Sequence, residues 1–129
     1  MTIRRWVLAG VALAAGGFVA SEAAADWIAA AAANWRDDDG GPHAAIGYSG
    51  VRSTRAAAIA SAMAACESAG GEGCKLANVA DRGCVYISVV NTYDQAGWGS
   101  SGNADDAVTK CEEENEGVSC EPPIGGCVD

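Results

Sequence analysis

From residue 43 onward, the alternation of apolar and polar positions marks out a short series of strands and helices. Ala44 to Ser49 carries Ile46 and Tyr48 in alternation, which predicts a short strand. Ser53 or Thr54 can cap a helix behind it. Ile59, Met63 and Cys66 then fall at i, i+4 and i+7 on one apolar face, and Gly70-Gly71 stops the helix. Cys74 to Ala80 reads as a strand, Asp81-Arg82-Gly83 as a turn, and Cys84 to Asn91 as a stronger strand. Val85, Ile87 and Val89 share one face of it; Tyr86, Ser88 and Val90 share the other. Asp94 to Gly102 is rich in turn formers. Asn103 can cap a second short helix, with Asp105 and Asp106 in the first turn, where the helix dipole favours acids. Ala104, Val108 and Cys111 form its buried stripe. The tail from Glu112 is acidic and rich in Gly and Pro.

The pattern before residue 43 is less regular. Asp26 to Trp35 reads as an Ala-rich helix or a loose arm. Asp37-Asp38-Asp39-Gly40-Gly41-Pro42 is a breaker of turn formers and like charges. Residues 26–42 are therefore read as an arm or linker, and the compact domain as residues 43–129. Residues 1–25 follow the secretory pattern. Arg4 and Arg5 supply a positive start, Trp6 to Ala20 is uncharged, and Ala23-Ala24-Ala25 is a small-residue cleavage site. The uncharged stretch ends at Ser21, short of the ~20 apolar residues a spanning helix needs. A cleaved signal is thus expected rather than an anchor, by the general or the twin-arginine route. No later segment is apolar enough to span, so no membrane insertion is expected after cleavage.

Composition changes the picture in two ways. The formal charge is −9; loss of residues 1–25 removes Arg4, Arg5 and Glu22 and takes it to −10. Such a chain avoids nucleic acid and anionic membranes, both polyanions, and can meet a basic partner. The core is also thin. Beyond residue 25 there are 14 Leu, Ile, Val and Phe residues, a share at which composition alone predicts disorder. Cysteines are the visible source of extra stability. All six lie after the signal, in a compartment where disulfides persist.

A faint repeat runs through the chain. Gly47-Tyr48-Ser49-Gly50, a helix ending in Cys66, then Cys74, is echoed by Gly97-Trp98-Gly99-Ser100, a helix ending in Cys111, then Cys120. The cysteine offsets are 45 and 46 residues; the aromatic turns are 50 apart, so an insertion is required. The repeat suggests Cys66–Cys74 and Cys111–Cys120 as equivalent bridges, which leaves Cys84 to tie the tail through Cys127. Fifteen pairings are open to six cysteines. On loop-closure entropy the short bridges contribute about 2.5 kcal/mol each and the long one about 4, comparable to the whole stability of a small domain.

Taken together, Ala44-Ala45-Ile46-Gly47-Tyr48-Ser49, the Ala-rich helix into Cys66, Cys74-Lys75-Leu76, Cys84, Gly97-Trp98-Gly99 and the later cysteines resemble the bacterial secreted family called domain of unknown function 4189. The likeness covers residues 43 to 128, and the Gly-Trp-Gly run and the cysteine order carry it. His43-Ala44-Ala45-Ile46-Gly47 departs from the family's aromatic-Gly-Ala-Ile-Ala opening strand. The resemblance implies export and a compact disulfide-bonded domain, and brings no catalytic residues.

Chemistry is sparse. His43 is the one histidine, at a strand start where a surface or packing role is the usual one. A Cys–His nucleophile pair would need a free thiol. No C-x-x-C motif is present, the cysteine spacings do not suit zinc, and the acidic runs lack the alternation of a calcium loop. No catalytic residue, metal or cofactor is expected. Trp98 can anchor a partner or fold back to cap a sheet edge. Tyr48 and Tyr93 are the other candidate partner contacts.

The expected fold is α+β: a small, mostly antiparallel sheet with two helices, stapled by disulfides and read as two duplicated α/β halves. The expected role is a non-enzymatic binding module of the envelope or exterior, with a protein partner and an open oligomeric state. A hydrolase inhibitor presenting Asp94 to Gly102 is the alternative, and a cysteine- or carboxylate-dependent enzyme stands behind it. Intact mass after alkylation without reduction tests the frame. The exported protein should begin at Asp26 and take up no alkylating agent; an alkylated cysteine would reopen thiol chemistry.

Overall fold

A computed structural model describes residues 26–129. The expected signal peptide and its cleavage site therefore lie outside the described residues.

The chain first forms strand β1 (Ile28–Arg36), then β2 (Pro42–Tyr48), helix α1 (Arg55–Ser68) and β3 (Lys75–Ala80). It then repeats the order with β4 (Gly83–Asn91), β5 (Ala96–Ser101), helix α2 (Ala104–Glu114) and β6 (Ile124–Val128). Each ββαβ unit makes one antiparallel three-stranded sheet, ordered β2-β1-β3 in the first and β5-β4-β6 in the second. The sheets pack face to face with a helix on each outer side. The fold is thus α+β, disulfide-stapled and duplicated, with two small sheets in place of one.

The start of the chain corrects the expected arm at residues 26–42. Residues 28–36 are neither a helix nor a loose arm; they are the central strand of the first sheet, and the domain begins at Trp27, which bridges to Arg52. Alanine favours a helix in isolation, but burial decides here. Ala29, Ala31 and Ala33 face α1, against Ala58, Ala62 and Cys66. Ile28, Ala30 and Ala32 face the second sheet, against Val85, Ile87 and Val128. A strand buried on both faces shows no polar–apolar alternation, so its sequence carries no period-2 signal.

Both helices are capped as their sequences suggest. Thr54 Oγ1 accepts from the Ala57 N–H at 3.1 Å, and Asn103 Oδ1 accepts from the Asp106 N–H at 3.0 Å. Their buried faces are Ala58, Ala62 and Cys66 in α1, and Ala107 and Cys111 in α2. Ile59 and Met63 only flank the first of these stripes. The tail adds a strand to the second sheet: β6 pairs with β4, which sets Cys127 directly opposite Cys84.

The disulfides are Cys66–Cys74, Cys84–Cys127 and Cys111–Cys120, the same pairs the repeat suggests. Two join each helix to the segment that follows it, and the third crosses between paired strands.

The helices sit so close to their sheets that side chains are excluded at two points. A Cβ on Gly47 would collide with the backbone of Ala62 and Cys66; one on Gly99 would collide with the backbone of Cys111. These glycines are structural equivalents, 52 residues apart, so the Gly-aromatic runs align with a shift from the register their sequences suggest. Gly47→Ala and Gly99→Ala should each destabilise by about 1–3 kcal/mol, the cost of overpacking a close contact. Gly40→Ala meets no atom and should cost less, through its positive φ alone. Denaturant unfolding of the three variants checks the ranking.

Candidate functional site

The β1–β2 and β4–β5 hairpins bring their tips together around a cavity of about 710 Å³, lined by residues 37 and 39–43 from one and 91–94 from the other. Asp37 organises the first tip. Its Oδ1 accepts from the backbone N–H groups of Asp39 at 2.9 Å and Gly41 at 2.8 Å. Its Oδ2 lies 2.8 Å from His43 Nε2, and Arg36 donates to the Gly40 carbonyl at 2.7 Å. An aspartate at the head of a turn commonly folds back on its own backbone in this way. The His43 ring stacks on Trp35, with centroids 5.3 Å apart and planes 18° apart. Strand register produces that stack, since Trp35 and His43 are direct cross-strand partners.

The electrostatics follow from the same contacts. The hydrogen bond from His43 holds the Asp37 carboxyl below its ordinary value, the Gly41 and Asp39 N–H groups add to the effect, and desolvation opposes it. An ionised Asp37 accepts a hydrogen bond from a protonated Nε2. In the second tip, Thr92 closes the turn through its N–H and hydroxyl, both bonded to the Gln95 carbonyl at 2.7 and 3.1 Å. Tyr93 stands at its apex, 96% exposed. Asp39 and Asp94 also line the cavity, so its walls carry carboxylates and an aromatic ring.

The three aromatic contact candidates do not converge. Tyr93 is at the hairpin tip. Tyr48, at the end of β2, is half-buried against the inter-sheet core, and burial first and Tyr86 second push its phenol up. Trp98 lies within β5, packs partly on that core and lines two further cavities. Its flanking glycines do not free the ring in a tight turn, because residues 96–101 are a strand. They face α2 instead, where a Cβ would strike Asn115 or Cys111. All six cysteines are joined in disulfides.

The Trp35–His43–Asp37 cluster escapes a reading of the sequence because it depends on β1. Once residues 28–36 are a strand, the hairpin register places Trp35 against His43. A direct check is carbon-detected titration of the aspartates. His43→Ala should raise the Asp37 pKa toward 3.8, the value of an unperturbed aspartate. Because the folded value is depressed, its contribution to stability is present above pH ~4 and is lost as pH falls through the folded value. The variant should lose less stability on acidification than the parent.

Comparison with curated proteins gives no match, and comparison with solved structures gives none. A family model, Domain of unknown function (DUF4189), matches residues 27–127. That span begins at the bridge preceding β1 and ends within β6, so it includes both ββαβ units and all six cysteines. The chain belongs to the DUF4189 family.

Proposed function

We propose that this protein is an exported, non-catalytic binding module that takes a cationic segment of a partner protein between its hairpin tips. Tyr93 carries the reading: a large ring 96% exposed at the lip of a cavity that also presents Asp37, Asp39 and Asp94. Aromatic rings dominate binding hot spots, and a Lys or Arg head group is attracted both to a ring face and to carboxylates. The acidic surface, −9 over the whole chain, steers a basic partner toward it. The hairpin ends are braced before any partner arrives, by the Asp37 network and the Thr92 turn, which lowers the ordering cost of binding. Export rests on the signal pattern of residues 1–25 and on three disulfides, which fit an oxidising compartment.

The inhibitor reading has less support. It needs Asp94 to Gly102 as a presented loop, and most of that segment is β5, paired along its length with β4. A cysteine nucleophile would require one of the three bridges to open.

Fluorescence anisotropy with matched Lys/Arg-rich, neutral and Glu/Asp-rich peptides tests the proposal. The cationic peptide should bind best and weaken with salt. Tyr93→Ala should cost about tenfold or more, on the scale of a hot-spot residue, Tyr93→Phe much less, and Asp94→Asn should mainly slow association. Equal binding of the three peptides, or an indifferent Tyr93→Ala, overturns it.

A further inference from the structure

The groove over Trp98 lies apart from the hairpin-tip cavity and has a different chemistry. Two concavities of about 350 and 450 Å³ meet there, both lined by Trp98 and Glu114. They fall in the size range of small-ligand sites. The duplication shows what is unusual about the residue at their junction. With Gly47 and Gly99 equivalent, the first-unit counterpart of Trp98 is Ile46, which also packs on the inter-sheet core. The second unit puts a much larger ring in that place. The core takes only part of it, and the remainder forms the wall of the groove.

The rim is polar and charge-balanced. Lys75 and Glu114 edge the first concavity together with Asn34; Lys110 and Glu113 edge the second. Two cations thus face two carboxylates on a chain whose overall charge is −9. Lys110 has an intrahelical partner in Asp106 at 3.7 Å. The side chains of Asn34, Lys75, Glu113 and Glu114 have no hydrogen bond or ion pair within the described residues, and all four are exposed. Any ligand here meets one flat apolar surface ringed by donors and acceptors of cancelling charge.

We propose that this groove binds a neutral oligosaccharide, with one ring stacked on the Trp98 indole. A pyranose has an apolar C–H face that suits an aromatic plane. Its equatorial hydroxyls both donate and accept, which suits ammonium, amide and carboxylate groups in alternation. An anionic ligand would meet Glu113 and Glu114, and a cationic one Lys75 and Lys110, so charge balance favours an uncharged one. Two concavities sharing one ring call for more than one sugar unit.

The test uses the full disulfide-bonded protein and nitrogen–proton correlation spectra, titrated with chitohexaose, cellohexaose, maltohexaose and mannohexaose. At least one should shift the Trp98 indole N–H together with the Asn34 and Lys75 amides and leave Tyr93 in place. Trp98 also supports the core, so the decisive variants are Glu114→Gln and Asn34→Ala at the exposed rim. Each should weaken binding, by roughly tenfold for Glu114→Gln, the scale of a lost hydrogen bond to a charged group, with thermal unfolding unchanged. The proposal is overturned if no neutral sugar moves Trp98, if both rim variants bind normally, or if an uncharged extended peptide shifts the same signals where sugars do not. Loss of cationic-peptide binding on Tyr93→Ala should leave sugar binding intact, so the two readings fail separately.

Discussion

Everything in this molecule is arranged around one strand that is buried on both sides. Ile28 to Ala33 is covered by α1 on one face and by the second sheet on the other, and five of those six residues are alanine. Small side chains let α1 close on the first sheet to backbone contact, which is why Gly47 can tolerate no Cβ. They also limit what burial can supply, because the hydrophobic contribution scales with apolar area removed from water. A core of this kind is tight without being strongly stabilising. Cross-links that restrict the unfolded chain then carry an unusual share of the stability.

That same economy of side chains governs how far the sequence could be read. β4 is also covered on both faces, but Val85 and Ile87 alternate with Tyr86 and with Ser88, whose buried hydroxyl donates to the Glu121 carbonyl, so its face assignment follows directly. The caps Thr54 and Asn103 and the helix stop at Gly70 are local signals, insensitive to the rest of the fold. The alanines of β1 are different. Their intrinsic preference is helical, and only contacts with residues 45, 62 and 87 make them a strand. Losing β1 also hid half of the repeat, since β1 and β4 are equivalent but share no pattern. It hid the Trp35–His43 pairing as well, which exists only as a register between strands. The cysteine offsets remained legible because they sit at helix ends, where the two units share the same construction. The turn-rich look of Asp94 to Gly102 misled for a related reason: Gly97 and Gly99 are dictated by the nearness of α2 rather than by a turn.

The two proposed sites grow from different parts of this plan. The hairpin-tip cavity belongs to the strand ends, beyond the layered core, where the chain is free to carry Asp37, Asp39, Tyr93 and Asp94 without a packing penalty. Its shape rests on local hydrogen bonds from Asp37 and Thr92. The Trp98 groove belongs instead to the seam between units, where one repeat carries a ring too large for the space its twin fills with isoleucine. Divergence between equivalent positions is a natural source of such a surface, since a duplicated scaffold needs its shared contacts but not every side chain along them.

The cross-links respect the repeat. Cys66–Cys74 lies wholly within the first unit; Cys84–Cys127 and Cys111–Cys120 lie wholly within the second. The backbone at Asp81-Arg82, between β3 and β4, is therefore the one covalent tie between the halves among the described residues. A single proteolytic nick there would leave two internally cross-linked fragments holding each other by sheet-to-sheet packing alone. In the language of assemblies, the protein is a pseudo-dimer on one string, and the seam between its sheets is a subunit interface in all but name.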